Sequence, residues 1–320
     1  MKKFISILLA LMLVMSLGTA AFAASEPTNV NFTKDFVAAD GGSTLEETFA
    51  FEQLTKEVVS SEGTAGDITI GNVTLVAGES GSFDIGLPAY DRVGTFKYTF
   101  KETAPANETA GVDYSEDVIT MYVYVTNGAN VNDPFEVQVR FENANGQKLS
   151  GNSAKITNTY NSGSLKVTKN VEGNLADHTK EFEITVTFSG SNVNSNISYL
   201  VGTETKTITP EMWENGTVSA TVALKADATV TFTNIPAGVT YVVSEKDYTA
   251  DGYELKGITY SDVENKAIAG GDEDSVTVLN SKNGTIETGI SLDSLPYILM
   301  LVVVGAAIVV VSTRKKGEQF

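Results

Sequence analysis

The 320-residue chain has no cysteine and a single histidine, and its 22 lysines and arginines are outnumbered by 40 aspartates and glutamates. Without cysteine, neither disulfides nor thiolate metal sites are available, so any covalent staple must use other side chains. The lone His178 sits beside Asp177 in a turn-like stretch with no cysteine or second histidine to work with, which leaves an extracellular hydrolase little to be built from. The acidic balance disfavours nucleic acid as a partner. The acidic run Gly270-Gly271-Asp272-Glu273-Asp274 lacks a complete calcium-ligand pattern and reads as a solvated loop. No metal and no cofactor is expected.

Long apolar runs are confined to the two ends. Lys2 and Lys3 precede an apolar stretch from Phe4 to Leu17 and then Ala20-Ala21-Phe22-Ala23-Ala24, the pattern of a secretory signal peptide over residues 1–24. Leu295 to Val311 is apolar apart from Pro296 and is followed by Arg314-Lys315-Lys316, so residues 295–311 have the length and flanks of a membrane span with its basic end inside. Function is therefore sought between residue 25 and about 290. Discounting five basic and two acidic residues at the ends takes the net charge of this body from -18 to -21.

Long amphipathic helical periodicity is also scarce. Val118 to Val125, Val137 to Phe141 and Phe182 to Phe188 alternate apolar and polar residues, rich in Val, Thr, Phe and Tyr and separated by Gly, Asn, Asp and Ser. The class is all-β, with sandwiches of Greek-key, Ig-like type. The body is too long for one sandwich of about 100 residues, and a weak internal repeat divides it. Asn29 to Lys34 resembles Ser164 to Lys169, Gly94 to Glu102 resembles Gly238 to Glu245, and each copy closes on a strand ending in asparagine, Asn158 or Asn280. Two tandem domains, 25–161 and 162–283, follow, joined by a linker of few residues near Tyr160 to Gly163.

Strand parity places six polar residues on the apolar face. Val30 and Phe32 share a face with Lys34, and Leu165 and Val167 with Lys169; the same test turns Glu102, Glu245, Asn158 and Asn280 inward. Burial disfavours the charged form of an amine, and a neutral amine is a nucleophile. Beside an asparagine carboxamide it can attack and expel ammonia, with a protonated glutamic acid donating to the carbonyl oxygen and relaying protons. An ordinary buried ion pair, with asparagine as hydrogen-bond partner, uses the same three residue types.

The stretch Val167-Thr168-Lys169-Asn170-Val171-Glu172-Gly173-Asn174, with Tyr241 to Glu245 and Val276 to Asn280, resembles the T-antigen-type backbone pilins of Gram-positive bacteria. The resemblance implies isopeptide bonds Lys169-Asn280, promoted by Glu245, and Lys34-Asn158, promoted by Glu102. In the first domain Gly41-Gly42-Ser43-Thr44 replaces the Gly-Asn turn. Residues 284–320 resemble a sortase sorting signal, with Ile286, Glu287, Thr288 and Gly289 before the span and cleavage between Thr288 and Gly289. A plain membrane anchor shares the span and basic tail. The resemblance further implies an acceptor lysine in the first domain, Lys148 or else Lys155, and as partners a pilin-class sortase, further copies of the chain, minor pilins and peptidoglycan. It implies a structural shaft subunit of a wall-anchored surface pilus rather than a turnover enzyme; a monomeric adhesin or tip pilin would share these features.

Overall fold

The computed structural model describes residues 25, 28–39, 44–130, 133–264, 266–284 and 296–304. The signal peptide, the Ile286 to Gly289 motif and the basic tail lie outside the described residues. Of the apolar span, residues 296–304 are helical. No helix among the described residues is long and apolar enough to cross a membrane.

The rest is built from strands. The first eleven are β1 Thr28–Ala38, β2 Glu46–Ser60, β3 Thr69–Ile70, β4 Val73–Val76, β5 Glu79–Leu87, β6 Gly94–Thr103, β7 Val112–Asp113, β8 Val118–Thr126, β9 Glu136–Glu142, β10 Lys148–Leu149 and β11 Lys155–Tyr160. Nine more follow: β12 Ser162–Glu172, β13 Phe182–Ser189, β14 Ile197–Val201, β15 Glu204–Ile208, β16 Thr217–Leu224, β17 Thr229–Pro236, β18 Thr240–Glu245, β19 Glu254–Tyr260 and β20 Glu273–Ser281.

They form two sandwiches in tandem. The first faces β3-β5-β1-β11-β7 against β10-β9-β8-β6-β2-β4, and the second faces β15-β14-β17-β12-β20-β19 against β16-β13-β18. Period-two alternation fills each interior. Phe96, Tyr98 and Phe100 of β6 meet Ile119, Met121 and Val123 of β8 in one core, while Ile184, Val186 and Phe188 of β13 lie with Leu165, Val167 and Phe232 in the other. In both sandwiches the first and last strands are parallel neighbours, β1 with β11 and β12 with β20, so chain start and chain end lie side by side in one sheet.

One residue, Asn161, separates β11 from β12. Its amide donates to the Gly111 carbonyl at 2.7 Å, its carbonyl accepts from Ala237 at 3.0 Å, and its side chain donates to Asp113 at 2.8 Å. The loop between β6 and β7 reaches across the junction. Ala110 packs against the second core and donates its amide to Asn192, and the Thr109 hydroxyl donates to Glu47 while accepting from Asn194 at 3.0 Å. The buried Tyr160 hydroxyl donates to the buried Ser195 hydroxyl at 2.9 Å. A Tyr160→Phe substitution strands the Ser195 oxygen in the joint and is expected to lower stability by about 1–3 kcal/mol, measured as earlier thermal unfolding with little change in far-ultraviolet dichroism.

Candidate cross-linking sites

Lys34 and Lys169 are fully buried, at 0 % exposure, although lysine is almost never so placed without a partner. Register fixes what each amine meets. On β1, Lys34 stands opposite Ile156 of β11 and Phe36 opposite Asn158; on β12, Lys169 stands opposite Val278 of β20 and Val171 opposite Asn280. In both domains the asparagine lies two residues beyond the lysine's own partner. Lysine and asparagine are thus diagonal neighbours on one face, within reach of a long side chain.

The glutamates come from the opposing sheets. Glu102, near the end of β6, places Oε2 3.0 Å from Lys34 Nζ, and its Oε1 accepts from Asn158 Nδ2 at 2.5 Å. Glu245, at the end of β18, places Oε1 3.1 Å from Lys169 Nζ, and its Oε2 accepts from Asn280 Nδ2 at 2.7 Å. Each carboxylate bridges amine and carboxamide. An aromatic ring closes each site: Lys34 Nζ lies 4.5 Å from the centroid of Phe49, and Lys169 Nζ lies 4.6 Å from that of Phe182.

Burial pushes both amines below the ordinary lysine value of 10.5, and it outweighs the opposing pull of Glu102 on Lys34 and of Glu245 on Lys169. The surroundings thus shift each amine toward its neutral, nucleophilic form. In the first domain the Ser115 amide donates to Asn158 Oδ1 at 2.9 Å. Since a backbone N–H donates only to oxygen, this contact fixes the carboxamide orientation and leaves Nδ2 facing Glu102. Glu102 therefore faces the carboxamide nitrogen and the carbonyl oxygen accepts from a backbone amide, which corrects the expectation that the acid itself bonds that oxygen. In the second domain Asn280 Oδ1 has no hydrogen-bond partner among the described residues, and Lys169 Nζ also approaches the Val278 carbonyl at 3.4 Å.

Parity reasoning on the sequence located lysine, glutamate and asparagine but missed Phe49, Phe182 and Ser115. Both phenylalanines were within reach of the same test, since each is an inward-facing residue of the strand that follows the lysine strand. Ser115 acts through its backbone, which carries no sequence signal.

Residues 30–161 match the family described as the Spy0128-like isopeptide containing domain, and residues 163–282 match a family described only as a domain of unknown function, DUF7601. A curated relative, the pilin of Streptococcus pyogenes serotype M1, is 24 % identical over 250 residues, covering 74 % of this chain and 72 % of the relative. Among solved structures, the major pilin of Streptococcus pyogenes aligns over 81 % of this chain and 100 % of its own, at 20 % identity and a TM-score of 0.55. The major pilin T3.2 of the same organism aligns over 81 % and 99 %, at 19 % identity and a TM-score of 0.50. The chain is a pilus subunit, similar to the T-antigen-type pilins. The two solved structures bear on its fold alone, and the first domain carries the family's isopeptide signature.

Elsewhere in the pilin, Lys148 is exposed on β10, whereas Lys155 is held at 2.5 Å by Asp35. Burial would raise the Asp35 carboxyl, but the bonds from Lys155 and Ser80 outweigh it and hold the group below its ordinary value. His178 is exposed, and the Gly270 to Asp274 loop forms the turn into β20, with Gly271 bonded to Ser162 and Asp272 to Ser164.

The amines give the pilin a pH dependence whenever they are left free, as in an Asn158→Ala, Asn280→Ala double variant. Their folded affinity for protons is below the unfolded one, so the unfolded chain binds more protons and stability climbs as pH rises from neutrality toward 10.5. Above the ordinary tyrosine value of 10.0 the sign reverses, because burial raises Tyr90, Tyr160 (to about 12) and Tyr241. Urea midpoints of the double variant are expected to increase between neutrality and roughly pH 9.5 and then fall.

Proposed function

We propose that this pilin is the shaft subunit of a covalently polymerised surface pilus and that each domain staples itself by a Lys–Asn amide bond, Lys34 to Asn158 and Lys169 to Asn280. The duplicated, fully buried lysine–glutamate–asparagine arrangement between the first and last strands is the observation that carries the reading. Within each site a proton passes from the lysine ammonium to the glutamate, leaving amine and carboxylic acid. The amine attacks the asparagine carbonyl carbon, a C–N bond forms, and the carboxyl group relays a proton to the former Nδ2, which departs as ammonia. No cofactor is consumed and each site reacts once. In the first domain the Ser115 amide stabilises charge developing on the carbonyl oxygen.

Each bond closes a loop of more than 100 residues and, by analogy with a disulfide, stabilises its domain by about 4 to 5 kcal/mol. Asn158 and Lys169 lie on either side of Asn161, so tension along the chain passes from bond to linker to bond without loading the sandwich cores. A pilin-class sortase would cleave between Thr288 and Gly289 and transfer the Thr288 acyl group to a lysine of the next subunit. Lys148, exposed and less encumbered than Lys155, is the acceptor we assign. Minor pilins and peptidoglycan would complete the assembly, with the precursor held at the membrane by the 295–311 span until transfer.

Intact-mass measurement of the mature protein is expected to fall short of the sequence mass by two ammonia masses. Glu102→Ala and Glu245→Ala should each restore one, and each should lower the unfolding free energy of its own domain by about 4 to 5 kcal/mol. A full sequence mass in the native protein would overturn the staples. Blots of wall extracts should show a high-mass ladder that Lys148→Arg abolishes; a native chain running only as monomer would overturn the shaft assignment.

A further inference from the structure

The Gly173-Asn174 pair, which the cross-linking chemistry leaves unused, sits where the chain leaves the second domain. Gly173 has φ +108, and a β-carbon there would lie 2.2 Å from the Lys282 carbonyl oxygen, so only glycine lets the turn approach the departing strand. Asn174 then grips the chain at two points. Its Nδ2 donates to the Gly284 carbonyl at 2.7 Å, and its Oδ1 accepts from the Gly284 amide at 3.0 Å. This pairing copies one rung of a β-ladder with a side chain in place of a backbone. Aspartate lacks the donor for it, and alanine lacks both groups.

Neighbouring contacts extend the grip. Lys282 donates its amide to Glu172, Leu175 donates to the Lys282 carbonyl, and the Asn174 amide reaches Asn283 Oδ1 at 3.4 Å. A β-carbon on Gly284 would fall 2.3 Å from a Leu175 methyl, so the absence of a side chain at 284 is what lets Leu175 lie over the strand. The Lys282 ammonium donates to the Asp251 carbonyl at 2.8 Å and lies 5.0 Å from the centroid of the Tyr253 ring.

We propose that the Gly173–Leu175 turn is an exit clamp, with Asn174 as its positioning residue, that fixes the chain at Gly284 and thereby sets the length of the tether to the polymer junction. The second half of this statement rests on Thr288 being the junction. From Gly284 only Thr285, Ile286, Glu287 and Thr288 remain, a reach of at most roughly 14 Å. Release of the clamp would return Lys282 to Gly284 to the tether and nearly double its reach. The first domain has no Gly-Asn pair at the matching place, and its own exit is instead held by the contacts of Asn161.

Hydrogen exchange on the full chain, solubilised in detergent, tests the clamp without reference to polymerisation. Asn174→Ala is expected to speed exchange of the Gly284 amide about tenfold, with the Val278 and Val276 amides of β20 unchanged. Asn174→Asp, which keeps the acceptor and loses the donor, should give a smaller increase. Unchanged Gly284 exchange in Asn174→Ala overturns the clamp, as does equal acceleration throughout β20, which would mean that Asn174 merely stabilises the domain. Electron micrographs of sheared filaments test the tether: Asn174→Ala is expected to preserve the ladder but widen the distribution of bend angles between subunits. An unaltered distribution overturns the tether claim. A native chain that forms no ladder overturns the Thr288 junction and the tether claim with it, while the exchange result still decides the clamp.

Discussion

Everything distinctive about this molecule follows from two lysine amines held out of water. A buried ammonium is costly, and a fold that tolerates one must either neutralise it or surround it with acceptors. Here both happen at once. Glu102 and Glu245 pair with the amines, while desolvation pulls the proton equilibrium toward the free amine, so the most expensive groups in each core are also pushed toward a nucleophilic form. The parallel pairing of first and last strands then places a carboxamide diagonally opposite each amine, as the proposed cross-link requires.

The duplication carries weight because the two domains resemble one another so little otherwise. Their sheets differ in strand number and order, the first core is rich in stacked and edge-on phenylalanines, and the second is mostly aliphatic. The lysine-to-asparagine register, the glutamate from the facing sheet and the aromatic ring over the amine are nevertheless shared. The two domains differ in packing and agree in the geometry of the lysine, glutamate and asparagine. That pattern is expected when packing needs only volume and chemistry needs position.

Sequence patterning made much of this visible. Alternation located β8, β9 and β13 almost to the residue, and parity turned all six candidate side chains inward, because a two-residue period converts a string of letters into a face. The parts it could not reach are those in which the period fails or the backbone acts. The fifteen-residue β2 is broken by register shifts at Gln53 and Val58, which scramble its alternation. Ser115 works through its amide. The grip of Asn174 on Gly284 joins residues 110 positions apart and looks, in the sequence, like an ordinary turn. Strand pairing had to come from the structure, since nothing local tells β1 that its neighbour is β11.

The rings of Phe49 and Phe182 have a second consequence, which concerns the electrophile. In the proposed cross-linking, water is the amine's competitor for the asparagine carbonyl, because hydrolysis would leave an aspartate, whose ionised form is a far poorer electrophile than the carboxamide. The ring beside each amine puts hydrocarbon, which offers water no hydrogen-bond partner, where that competitor would otherwise stand. On the proposed chemistry those two phenylalanines shield the electrophile as well as desolvating the nucleophile.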